Sequence, residues 1–79
     1  MTGTLALDIA RRWHAGDAGC GALVTGLKRQ IGRIDPGELL EVTALDAAAP
    51  IDIAAWCHMT GHALAVERHP TYVLQRKVD

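Results

Sequence analysis

Apolar residues recur along this chain at two spacings, and these spacings predict where it forms helices and strands. One series recurs every three or four residues, which places its members on one side of an α-helix: Leu23, Leu27, Ile31 and Ile34. We predict this helix over residues 21–34, ended by Asp35-Pro36-Gly37. Gly26 and Gly32 each cost the helix about 1 kcal/mol relative to Ala. Packing against the rest of the chain must therefore stabilise it.

A two-residue alternation predicts strands on either side of this helix. Residues 38–46 place Leu40, Val42 and Ala44 on one face, as in a half-buried strand. We predict an earlier strand over residues 9–14. Residues 5–13 are also compatible with helical spacing, so a short helical turn ahead of the strand stays an alternative.

A second helix and a hairpin follow. Pro50 suits the first turn of a helix and Gly61 its end, so we predict a helix over residues 50–59. Its core-facing residues are expected to be Ile53, Trp56 and Cys57. Residues 62–68 and 71–77 are predicted strands, with a turn at His69-Pro70 between them.

The element order strand–helix–strand–helix–strand–strand defines the expected fold. Its simplest closed arrangement is an α/β two-layer sandwich, with two helices on one face of a four-stranded mixed sheet. We treat residues 1–79 as a single domain whose first residues, 1–8, are frayed.

Composition and charge exclude several classes of protein. Eight basic and nine acidic residues leave a net charge of −1, which gives little electrostatic support for binding nucleic acid. No apolar run approaches the ~20 residues of a membrane span, and no signal peptide is recognised. Two cysteines are too few for a disulfide framework. A reduced, cytoplasmic location is therefore expected.

Cys20 is the candidate reactive residue. It lies between Gly19 and Gly21, directly before the predicted helix, so no bulky neighbour covers its sulfur. The first N–H groups of a helix have no intrahelical partner, and the helix dipole favours a negative charge there. We expect a moderately activated thiol, opposed by Asp17 if that carboxylate faces the sulfur. The alternative is a small apolar residue in a turn.

The second cysteine and two nearby histidines have other expected roles. Cys57 lies within the second helix, where a buried, inert thiol is expected. A disulfide with Cys20 stays open, because sequence does not give their separation. Cys57, His58 and His62 are residue types that bind zinc, but Gly61 ends the helix between the two histidines. We expect neither a metal nor a cofactor.

A hydrolytic cysteine enzyme is not expected. It would need a histidine within hydrogen-bond reach of Cys20, whereas His14 and His69 are isolated in sequence and suit surface or capping roles. A chain this short also has little room for a cavity of ~300 Å³ or more. One exposed thiol on a small domain is better suited to passing a chemical group between partners.

From about residue 13 to residue 77 the chain resembles the TusA/SirA family of small sulfur-carrier proteins. The resemblance rests on the order and spacing of several short motifs, which are Gly19-Cys20, Asp35-Pro36-Gly37-Glu38, Asp46, Asp52-Ile53, Trp56-Cys57, Gly61-His62 and Tyr72. It implies the same two-layer fold. It also implies that Cys20 accepts sulfane sulfur as a persulfide from a cysteine desulfurase or a rhodanese-type donor, and passes it to an acceptor protein.

One departure from the family concerns this cysteine. The family motif is Cys-Pro-x-Pro, whereas this chain has Cys20-Gly21-Ala22-Leu23. Gly21 restores an N–H donor that proline lacks, and it adds backbone freedom that is lost when a partner docks. The change bears on partner identity and transfer rate more than on the fold.

Two other functions fit the same residues. In a thiol-based redox or regulatory module, Cys20 would cycle between thiol and oxidised forms. A non-catalytic binding domain, including an RNA-binding one, is also compatible with a two-layer α/β fold.

Overall fold

The computed structural model describes residues 8–78. Six elements follow one another in the predicted order: β1 (Ile9–Gly16), α1 (Cys20–Ile31), β2 (Leu39–Ala44), α2 (Ala49–Thr60), β3 (Ala63–Arg68) and β4 (Thr71–Gln75). The strand predicted over residues 9–14 is confirmed and extends to Gly16. The predicted frayed end lies outside the described residues, except for Asp8.

The four strands form one mixed sheet in the order β1-β2-β4-β3. The β1–β2 pair is parallel, and β4 is antiparallel to both β2 and β3. Val42 is paired with Tyr72 and Leu40 with Leu74, so these four side chains share one face of the sheet. They are buried in one cluster with the inward residues of both helices. The predicted two-layer α/β sandwich is therefore confirmed.

The periodic apolar residues of α1 form the centre of this core. Leu23 and Leu27 are fully buried, and Ile31 and Ile34 are 5% exposed. The helix nevertheless ends at Ile31, so the predicted end at residue 34 is wrong. Gly32 occupies the C-cap position, and the next N–H groups bond only three residues back, as in a tight final turn.

Gly26 is required by a neighbour in the sheet. A Cβ atom at this position would lie 2.1 Å from Cη2 of Trp13, on β1. The indole ring therefore occupies the space that a side chain at residue 26 would fill. The glycine weakens the helix locally, but it allows β1 and α1 to approach each other closely.

The second helix has the predicted inward face. Ala49 and Ile53 are fully buried, while Trp56 and Cys57 are 8% and 4% exposed. Gly61 ends the helix with φ of 87°, and its N–H donates to the Cys57 carbonyl at 2.9 Å. This is the left-handed C-terminal position that favours glycine.

The strands differ from their predicted ranges only at their ends. β2 and β3 begin one residue later than predicted, and β2 ends two residues earlier. β4 ends at Gln75 because its partner residue, Leu39, is the first of β2. Arg76 then donates from its guanidinium to the carbonyls of Ile31 and Ile34.

Both described helices contain twelve residues. Within residues 8–78, neither helix is long and apolar enough to cross a membrane.

Candidate functional site

Cys20 is the first residue of α1, and its side chain is exposed. Gly19, the N-cap, has extended backbone with φ of −78° and ψ of −178°. The Leu23 N–H donates to the Gly19 carbonyl at 2.7 Å, which is the first hydrogen bond of the helix. The N–H groups of Cys20, Gly21 and Ala22 precede it and have no carbonyl four residues back within the helix.

The surroundings of Cys20 leave its sulfur open to a reaction partner. Cβ atoms built at Gly19 and Gly21 would meet nothing within 4 Å beyond the adjacent residues. The first turn of α1 contains no acidic residue. A negative charge on the sulfur would therefore face the positive end of the α1 dipole, while Asp52 of α2 lines the same cavity and opposes that charge.

Cys57 has the opposite environment. It lies in α2, is only 4% exposed, and is not bonded to Cys20. Burial raises the pKa of its thiol to about 11, because the thiolate loses its hydration in the core. The predicted burial of Cys57 is confirmed, and the raised pKa agrees with the expected low reactivity. The disulfide that the sequence left open is not formed.

His14 and His69 each have a hydrogen-bond partner other than a cysteine. His14 is exposed, and its Nδ1 accepts the Gly16 N–H at 3.1 Å. The His69 ring is hydrogen-bonded to the Tyr72 hydroxyl. Both have the surface or capping roles expected of them.

The residues considered for zinc have different environments. Cys57 is buried and His58 is exposed, while the ring of His62 stacks on Trp56 with 5.2 Å between their centres. Among the described residues, no three histidine, cysteine or acidic side chains are grouped as metal ligands.

A groove between α1 and α2 is the feature that the sequence analysis missed. Cys20 lines a cavity of about 220 Å³ at one end of this groove. A second cavity of about 580 Å³ adjoins it and extends to Lys28 and Lys77. Three side chains, Val24, Trp56 and Met59, line both cavities. We call the two cavities together the interhelical groove.

The expectation that so small a chain lacks room for such a cavity is wrong. Val24 and Ala55 are small residues of the facing helices, and they leave space between α1 and α2. The larger cavity lies within the ~300–1,000 Å³ range of small-molecule sites. A sequence signal did exist, since Cys20, Val24 and Lys28 are spaced by four and share one side of a helix.

The opening of this groove is apolar as well as accessible. Met59, which lines both cavities, is 81% exposed. Met59 and the exposed Cys20 line the same cavity, so an apolar side chain and a thiol are both accessible there.

Comparison with known proteins does not assign the chain to a family. No protein-family model matches the chain, and no curated protein matches it significantly.

Proposed function

We propose that this protein is a sulfur carrier that holds sulfane sulfur as a persulfide on Cys20. The observation that supports this most directly is the exposed Cys20 thiol at the free N-terminus of α1. The resemblance to the TusA/SirA family supports it independently, because the motifs and the two-layer fold occur together.

The chemistry is a transfer of one sulfur atom. The Cys20 thiolate attacks the outer sulfur of a donor persulfide, R–S–S–H. The donor S–S bond breaks, R–S⁻ leaves, and Cys20–S–S–H forms. An acceptor nucleophile then attacks the outer sulfur in turn and releases the Cys20 thiolate. Both steps are exchanges at sulfur, so they need no external oxidant or reductant.

The residues around Cys20 support this exchange without a general base. Cys20 supplies the attacking and the leaving sulfur at the N-terminus of α1, the end of a helix dipole that attracts negative charge. Gly21 supplies one of the N–H groups at this helix end, which a proline at the same position would lack. Loss of the two motif prolines is therefore compatible with transfer.

The proposal assigns two protein partners. One is a sulfur donor of the cysteine desulfurase or rhodanese type, and the other is a sulfur acceptor protein. It places the relay in the cytoplasm, where thiols stay reduced. It assigns no cofactor or metal to the carrier.

The test is to load the reduced protein with a cysteine desulfurase and free cysteine, followed by intact mass measurement. We expect a gain of one sulfur atom in the parent protein. The Cys57→Ala variant should gain the same mass and Cys20→Ala none. Equal loading of the Cys20→Ala variant, or no loading of the parent, would contradict the proposal.

Peroxide treatment distinguishes the thiol-redox function. A redox module should oxidise reversibly at Cys20 at low peroxide and change its binding to a partner, without accepting sulfur from a desulfurase. Tight, salt-sensitive binding of RNA without sulfur loading would instead favour the RNA-binding function.

A further inference from the structure

The interhelical groove connects the reactive thiol to a pair of lysines. Cys20 and Lys28 lie eight residues apart on α1, so their Cα atoms are separated by about 12 Å along the helix. Helical side chains lean toward the N-terminus, which brings the Lys28 ammonium nearer to the Cys20 sulfur than this. Lys77, in the segment after β4, lines the same end of the groove as Lys28.

The groove has charges of opposite sign at its two ends. Asp52 lines the cavity that contains Cys20. The larger cavity is lined by Lys28 and Lys77, and its described lining includes no carboxylate. An anionic group is therefore repelled near the thiol and attracted at the far end. Between the ends the walls are largely apolar, with Val24, Trp56 and Met59 common to both cavities.

We propose that this groove binds a small organic persulfide that carries a carboxylate roughly 8–10 Å from its sulfur, the distance set by the helix geometry. The carboxylate lies against Lys28 and Lys77, and the sulfane sulfur lies at Cys20. This inference rests on the proposed function and adds a substrate class to it. The carrier is loaded directly by a low-molecular-weight persulfide as well as by a protein donor.

The loading step is balanced within these components. The Cys20 thiolate forms a bond to the outer sulfur of the bound R–S–S–H while the S–S bond of the ligand breaks. The electron pair of that bond leaves on R–S⁻. The products are Cys20–S–S–H and the small thiolate R–S⁻, which then dissociates from the groove.

The experiment compares two persulfides that differ in length. Glutathione persulfide can place a carboxylate at the lysines while its sulfur contacts Cys20. Cysteine persulfide cannot, because its carboxylate is only about 5 Å from its sulfur. The rate of sulfur loading is measured by intact mass for each donor, at low and at high ionic strength.

Matched variants distinguish the effect of a lysine in the groove from the effect of positive charge elsewhere on the surface. Lys28→Gln and Arg29→Gln each remove one positive charge from neighbouring exposed positions of α1, but only Lys28 lines the groove. For glutathione persulfide we expect Lys28→Gln to slow loading by about two- to fivefold, the upper part of the range for one exposed ion pair. Adding Lys77→Gln should slow it further, and Arg29→Gln should have little effect. High salt should slow the parent protein similarly.

Cysteine persulfide serves as the internal control, since its loading rate should be insensitive to Lys28→Gln. Equal effects of Lys28→Gln and Arg29→Gln on glutathione persulfide would overturn the inference. So would an effect of Lys28→Gln confined to loading by the desulfurase, which would assign the groove to a protein partner. In either case desulfurase loading would leave the sulfur-carrier proposal standing. That proposal fails only if the desulfurase does not load Cys20.

Discussion

At the scale of single residues, the two cysteines differ because one thiol is exposed to solvent and the other is buried in the core. Cys20 is exposed at the start of α1, and Cys57 is packed among the buried residues of α2 and the sheet. A thiol reacts as its thiolate. The raised pKa of Cys57 lowers its thiolate fraction and its burial keeps reaction partners away, so the proposed sulfur transfer is assigned to the exposed Cys20.

The raised pKa of Cys57 also predicts a pH-dependent stability. The thiol pKa rises from 9.0, its ordinary value, to about 11 in the folded protein. The unfolded chain therefore loses this proton first as pH rises. The protonated Cys57 thiol contributes fully to the free energy of unfolding below about pH 9. This contribution is lost between about pH 9 and pH 11, and its upper bound is about 2–3 kcal/mol.

Urea denaturation between about pH 8 and pH 11 measures this loss. The free energy of unfolding should fall less steeply in Cys57→Ala than in the parent, with Cys20→Ala in both backgrounds to prevent disulfides. Burial also raises the pKa of Tyr72, with help from Glu67, and this effect is common to both proteins. Parallel stability curves would show that Cys57 does not contribute.

Gly26 gives a second residue-scale prediction. Gly26→Ala should improve helix propensity by about 1 kcal/mol, but its Cβ would lie 2.1 Å from the Trp13 ring. Displacing that ring should dominate, for a net destabilisation of about 1–3 kcal/mol. Denaturation followed by tryptophan fluorescence measures the change.

Gly21→Ala is the matched control for this substitution. Its Cβ would meet nothing within 4 Å, so the same change of residue type in the same helix should be neutral or slightly stabilising. A double variant, Trp13→Leu with Gly26→Ala, should lose less stability than the sum of the single changes. Additive losses would exclude the ring clash as the cause.

At the scale of the elements, Arg76 stabilises the end of α1. Its guanidinium donates to the Ile31 carbonyl at 3.4 Å and also to the Ile34 carbonyl. The Ile31 carbonyl lies at the negative end of the α1 dipole, where a cation is favoured. Arg76→Gln should therefore lower the free energy of unfolding by about 1–2 kcal/mol.

Arg33→Gln controls for charge in this experiment. Arg33 lies just beyond the same helix end but is exposed, so its loss should cost less than about 0.5 kcal/mol. Chemical denaturation of both variants makes the comparison. Equal losses would mean that net charge near the helix end, rather than the hydrogen bonds of Arg76, stabilises α1.

The elements also show which features local sequence predicts. Leu23, Leu27 and Ile31 face the core because helix geometry alone aligns residues three or four apart. Ile34 continues that spacing and is buried, yet it lies in a turn. Periodicity identifies the residues that face the core, whereas backbone hydrogen bonds determine where the helix ends.

Features that depend on distant residues were not predictable in this way. Arg76 donates to the Ile31 carbonyl, 45 positions earlier in the chain. The Trp13 ring on β1 leaves no space for a side chain at Gly26 on α1. The position and exposure of Cys20 were predictable because they follow from its glycine neighbours and the next helix. The interhelical groove was predictable only in part. The spacing of Cys20, Val24 and Lys28 indicates the wall on α1, but the other walls come from α2 and the segment after β4.

At the scale of the whole molecule, the sheet order predicts which part of the fold opens last. β2 and β4 are the inner strands, each with a partner on both sides, and β1 and β3 are the edges. β2 also contributes Leu40, Val42 and Ala44 to the core, all fully buried. β3 contributes no buried residue.

Amide hydrogen exchange should therefore be slowest in β2 and β4, where exchange requires global unfolding, and faster by at least about tenfold in β3. Exchange followed by NMR resolves the strands residue by residue. Loading Cys20 with sulfur should leave this order unchanged, because Cys20 lies on the exposed start of α1 and outside the sheet. Protection of β3 equal to that of β4 would contradict the expected order. A change in the protection of β2 on loading would instead show that the thiol and the core are coupled, which a carrier with a rigid scaffold does not require.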